Sequence, residues 1–147
     1  MRPRGALPAT LGRGRWRMSY AFSWPLQQGL YWALSAAPEI TDLAEVLDAT
    51  ALPTSNEYVS IGEEQVRERG PDLTQHDIVI EVHSAAQGFS RAKLVAAEVG
   101  RILLHTPAAV TGATVTDLRF LKARARRSRG TERRLITLTF RVLLDAN

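Results

Sequence analysis

Leu26, Leu30, Ala33, Leu34 and Ala37 recur at the spacing of one helix face. Ser23 and Pro25 precede this stripe as an N-cap and a first-turn proline, and Pro38 closes the helix. Ile40–Leu47 reads either as a further helical turn or as a segment that becomes extended near Val46–Asp48. Pro53, Thr54, Ser55 and Asn56 mark a loop. Tyr58–Glu68 alternates loosely, with Tyr58, Ser60 and Gly62 set against Val59, Ile61 and Glu63, and predicts a strand ending in a polar turn at Arg69–Pro71. His76–Ser84 alternates more sharply: Ile78, Ile80 and Val82 share one side, Asp77, Val79, Glu81 and His83 the other. Gly88 and Ser90 introduce a second helix with the stripe Leu94, Ala97, Val99, Ile102 and Leu103, bounded by Pro107. Two long strands follow, Val115–Arg126 and Leu135–Leu144, joined by a hairpin turn at Ser128–Thr131. In the last strand Ile136, Leu138, Phe140, Val142 and Leu144 alternate with Leu135, Thr137, Thr139, Arg141 and Leu143.

Two amphipathic helices and about four strands predict an α+β fold. The economical arrangement is an antiparallel sheet with both helices packed on one face, because each element has one apolar side to bury. The other sheet face is mixed and is expected to be covered in part by another subunit. The chain has 147 residues, 45% of them hydrophobic, which suits one domain with one core. It has no run of eighteen apolar residues, which argues against a membrane-spanning helix. It has no cysteine, which excludes disulfides, thiolate catalysis and Cys-based zinc sites.

Composition changes abruptly near the start. Residues 1–17 carry five Arg and no acid, together with Gly and Pro, and are expected to be a disordered basic extension. Met18 is read as the functional start, with a misassigned start codon upstream; a short disordered tail is the plainer reading. Residues 18–147 form the single folded domain in either case. The full chain has 19 basic and 15 acidic residues, a net +4; without the five extension arginines it holds 14 and 15, a net −1. The isoelectric point near 10.1 therefore belongs to the extension, which weakens an inference to nucleic-acid binding.

Candidate chemistry is sparse. No Ser lies in a G-x-S-x-G elbow, and no Walker loop or G-x-G-x-x-G links a strand to a helix. His76, His83 and His105 are scattered, and His76 and His83 fall on opposite faces of one strand, so no metal site is expected and each reads as a surface or edge histidine. The adjacent Glu63 and Glu64 point opposite ways and read as solvated strand charge. No catalytic residue, metal or cofactor is expected.

Charge is divided. Between Glu39 and Glu81 there are eleven acids against Arg67 and Arg69; between Arg119 and Arg141 there are nine basic residues against Glu132. Lys122, Arg124, Arg126, Arg127, Arg129, Arg133 and Arg134 surround the last hairpin turn, and Arg124 and Arg126 share a strand face. A solvated hairpin tip, an acidic protein surface and passing nucleic acid all suit such a cluster; aromatic residues are not interleaved with it, which disfavours a single-strand stacking platform. Patches of opposite sign on one chain suit head-to-tail association, which makes a ring when the rotation closes. Glu63, Glu64, Arg124, Arg126, Arg127, Arg129, Arg133 and Arg134 are the candidate protein-interface residues. Two other classes stay open: a nucleic-acid-binding protein using the Arg-rich hairpin, and a small enzyme with a dispersed site.

Three stretches carry a resemblance: Met18–Leu34 (MSYAFSWPLQQGLYWAL), Pro53–Glu64 (PTSNEYVSIGEE), and Asp117–Leu121 (DLRFL) with the arginines after it. In this order they resemble the tail terminators, or tail-completion proteins, of tailed phages and phage-like gene transfer agents, over roughly Met18–Leu144. The resemblance implies a hexameric ring that caps the tail tube at its head-proximal end. Its implied partners are other copies of the chain, the tail tube protein and the head–tail connector or stopper protein. The resemblance also implies DNA passing through the lumen without sequence-specific binding, and no membrane. The implied location is the head–tail junction of a particle made in the bacterial cytoplasm. A lumen that grips phosphates resists sliding, so most of the arginine cluster is expected to face protein rather than the channel.

Overall fold

The computed structural model describes residues 20–48, 51–130 and 132–147. The extension and the reading of Met18 as the start lie outside the described residues. The elements are α1 (Ser23–Ser35), α2 (Pro38–Thr41), β1 (Glu45–Val46), β2 (Tyr58–Gly70), β3 (Leu73–Ser84), α3 (Ser90–His105), β4 (Ala113–Arg127) and β5 (Arg134–Ala146). The sheet has five strands in the order β1-β2-β3-β5-β4 rather than about four. One pair, β1 with β2, is parallel, with Glu45 opposite Tyr58 and Val46 opposite Val59; the other pairs are antiparallel. The short β1 was hidden in the ambiguous stretch after Pro38, because two residues leave no periodicity to read.

The core lies between the helices and one sheet face. Leu26, Leu30 and Leu34 of α1 and Val95, Val99 and Leu103 of α3 are buried against Ile78, Ile80 and Val82 of β3 and Leu138, Phe140, Val142 and Leu144 of β5. The alternation seen in the sequence thus maps onto one face of the sheet. Along α3 the buried set is Ala92, Val95, Ala96, Val99, Ile102 and Leu103, whereas the expected stripe members Leu94 and Ala97 face outward. Gly29 lets α1 approach the chain at Ala109: a methyl group there would drive into the Ala109 carbonyl oxygen.

Turns and bulges set the register. Pro71 and Asp72 join β2 to β3, with Asp72 in the left-handed region at φ 64°, which Asp tolerates better than bulkier residues. Ile61 pairs with Ile80 but Glu64 with Ile78, so β2 carries one extra residue at Gly62–Glu63. Two further irregularities lie in β4, between Val115 and Asp117 and between Phe120 and Lys122.

Candidate assembly surfaces

The β2 bulge decides where two candidate glutamates go. A regular strand would put Glu63 on the face of Val59 and Ile61. The extra residue inverts that parity and turns Glu64 inward instead, next to His76, which is fully buried on β3. The Glu64 carboxylate accepts from His76 Nδ1–H at 2.9 Å and from the Ser23 hydroxyl at 2.5 Å, while His76 Nε2 lies 3.0 Å from the Thr74 hydroxyl. Burial alone pushes the Glu64 carboxyl up, but the bonds from His76 and Ser23 and the attraction of the imidazole outweigh it and hold the group below its ordinary range. Three expectations change here. Ser23 is the first residue of α1 and makes no cap; its hydroxyl ties the helix start to β2. His76 is a buried, bonded core residue rather than a surface one. Glu64 is a structural acid rather than solvated charge. The glutamate stands between serine and imidazole, so the imidazole does not reach the hydroxyl and the order is not that of a Ser–His–acid triad.

Glu63 remains exposed on the opposite face, where opposite charges lie one strand apart. Asp77 and Glu81 of β3 line it on one side, Lys122, Arg124 and Arg126 of β4 on the other, with Thr137 and Thr139 of β5 between. Asp77 accepts from Arg141 at 2.8 and 3.0 Å, and this pairing, aided by the Arg141 charge, holds its carboxyl below the ordinary range. His83 stacks on Tyr58 with ring centroids 4.4 Å apart and bonds Glu81. His105 is exposed and donates to the Arg101 carbonyl. Among the described residues no cluster of His, Asp or Glu could hold a metal ion, and no helix is long and apolar enough to cross a membrane.

The structure divides the hairpin arginines. Arg133 donates to the Asn56 carbonyl at 2.7 Å and lies over the Tyr58 ring; Arg134 lies over Phe89 and donates to the Glu132 carbonyl. Both brace the hairpin base. Arg127 reaches Glu132 at 3.7 Å across the turn. Arg124 and Arg126 share the polar face, opposite Thr137 and Leu135, and Arg129 projects from the tip.

Exposed apolar side chains were the signal missed in the sequence. Tyr20, Trp24, Trp32, Leu52, Leu94, Leu104, Phe120 and Leu121 are exposed: Trp24 and Trp32 of α1 lie beside Leu47 and Ile61, Leu104 and Phe120 border a groove between α3 and β4, and Leu121 lies on the polar sheet face beside Lys122. Helical periodicity ranks a tryptophan as apolar and does not say that it faces out.

The fold and these surfaces define a small α+β domain with exposed apolar side chains beside α1 and along the α3–β4 groove. The sequence matches the family described as "Tail completion protein gp17" over residues 28–145. The chain belongs to that tail-completion family. It is also similar to a chain of a solved structure described as "Virion of native gene transfer agent (GTA) particle": 32% identity, a TM-score of 0.75, and coverage of 87% of this chain and 100% of that one. No curated protein matches the chain.

Proposed function

We propose that the protein is a tail terminator of a phage-like particle, placed at the head–tail junction. It forms a ring, hexameric by the family resemblance, that caps the head-proximal end of the tail tube and joins it to the head connector, with DNA passing through the lumen. Its role is structural: the ring binds the last tube ring by surface complementarity and leaves no matching surface for another tube subunit. The observation that carries this reading is the similarity to a virion chain covered over its whole length. Glu63, Arg124, Arg126, Arg127 and Arg129 face protein neighbours in this reading. The acids one strand away from Arg124 and Arg126 favour this over a phosphate-binding strip, because they repel a nucleic-acid backbone.

The test is deletion of the gene in a particle-producing strain, followed by electron microscopy. Overgrown tubes detached from heads are expected; tails of normal length joined to heads overturn the proposal.

A further inference from the structure

Both outer edges of the sheet are unfinished. Among the described residues, β1 covers β2 only at Tyr58 and Val59, so the outer edge of β2 from Ser60 onward has no neighbouring strand, and neither has the outer edge of β4. Among the large exposed hydrophobic side chains of the described residues, Trp24 and Trp32 lie at the first edge and Leu104 and Phe120 at the second. A monomer that left both patches in water would carry a steady solvation cost.

The patches differ in shape. At the α1–β1 edge the aromatic rings protrude: Trp24 is 54% and Trp32 66% exposed. At the α3–β4 edge a groove of about 450 Å³ opens between helix and strand, lined by Ala97, Gly100, Leu104, Phe120, Ala123 and Ala125. Its wall is made of small side chains because α3 presents Ala97 and Gly100 outward and β4 presents alanines. The α1–β1 edge offers bulk beside a smaller pocket of about 230 Å³, and the α3–β4 edge offers the wider room.

Charge follows the same division. Residues 18–66, which build α1, β1 and most of β2, contain seven acids and no Lys or Arg. β4 carries Arg119, Lys122, Arg124, Arg126 and Arg127 against Asp117, and Lys93 borders the groove beside Arg101, which pairs within the chain with Glu98 and Glu39. Neither edge complements itself, so a two-fold pairing of like patches would set acid against acid and base against base. A head-to-tail contact sets each against its opposite.

We infer that Trp24 and Trp32 at the α1–β1 edge of one copy seat in the α3–β4 groove of the next copy, between Gly100 and Ala125, and that this is the contact that closes the ring. The partner is a second copy of this chain. Each buried aromatic side chain removes roughly 150–250 Å² from water, so two tryptophans supply the anchor of an interface whose charged margins fix its direction. The inference rests on the ring reading above and specifies its geometry.

Because the chain has no cysteine, introduced cysteines are its only thiols. Full-length Trp32→Cys and Ala97→Cys proteins are treated with a short bismaleimide, separately and mixed. Cross-linked dimer is expected only in the mixture, and a ladder ending at the ring in the double variant. Trp32→Ala is expected to raise the dissociation concentration of the ring roughly tenfold or more in native mass spectrometry, with an unchanged unfolding midpoint. Rings that form without this cross-link, and that tolerate Trp32→Ala, overturn the contact and leave the ring reading standing. Self-cross-linking of either single variant overturns the head-to-tail direction. A wild-type chain that stays monomeric at high concentration and low salt overturns the ring reading and the contact together.

Discussion

The two long hairpins of the sheet are built alike and used differently. In β2–β3 the inward side chains are covered by α1 and α3, and even the polar ones are absorbed: Glu64, His76, Thr74 and Ser23 satisfy one another inside the domain. In β4–β5 the inner strand β5 is buried on the helix face, while every residue of β4 from Arg119 to Arg127 is exposed. Phe140 and Phe120 show the contrast across one register pair. Their rings meet edge to face at 5.7 Å, yet Phe140 is 1% exposed and Phe120 46%. One hairpin is covered on its helix face by its own chain, and the other leaves its outer strand exposed. Exposure alone is therefore a poor guide to importance: in the ring proposed above, the bare strand is the part that meets the next copy.

Substitutions that separate folding from assembly sharpen this contrast. The largest expected effect on folding is at Phe140, where Phe140→Ala should cost about 3–5 kcal/mol in denaturant unfolding, whereas Phe120→Ala should cost under about 1 kcal/mol and act on assembly instead. Equal losses at the two positions would erase the distinction between the hairpins. Next comes Gly29→Ala, which forces α1 away from Ala109; a fall in the thermal midpoint is expected, and an unchanged midpoint would mean that the helix seat is adjustable.

Glu64→Leu should cost about 1–3 kcal/mol, because it leaves His76 Nδ1 and the Ser23 hydroxyl without their acceptor. Its pH signature has a definite sign. The Glu64 carboxyl titrates lower in the fold than its ordinary 4.5, so its contribution is present above that value and is lost as the pH falls through the folded value. Stability of the wild type should therefore fall more steeply below about pH 4.5 than that of Glu64→Gln, as read by urea midpoints along a pH series. The smallest effect is expected for Arg124→Gln with Arg126→Gln: stability within about 0.5 kcal/mol of wild type. A protein starting at Met18 should show no salt-dependent duplex binding that this pair abolishes; such binding would revive the nucleic-acid reading.

Much of this was legible in the sequence. The long strands announced themselves through alternation, and the hairpin turns through Pro71 and Gly130. The charge division was equally plain. What escaped had physical reasons. β1 draws its existence from a non-local parallel pairing that no local pattern encodes. Glu64 and His76 meet only because of a bulge, and one extra residue in a strand leaves the composition untouched while inverting the faces beyond it. Leu94 and Ala97 fall in the apolar stripe of α3 because stripe patterns assume that a helix buries all its apolar residues, which fails on this helix, where both are exposed.

The bulge at Gly62–Glu63 works as a parity bit. Every β2 residue beyond it reads the sheet with in and out exchanged relative to those before it. Ile61 to Glu64 is three steps along β2 against two along β3, so removing Gly62 or Glu63 would restore a regular ladder and leave Glu64 facing inward. Flattening the bulge at constant length is what would present Glu63 to the core and push Glu64 to the polar face. A one-residue loss here is therefore absorbed on the spot, whereas the same loss further along β2 would slip the residues beyond it to the wrong face or demand a compensating bulge in β3.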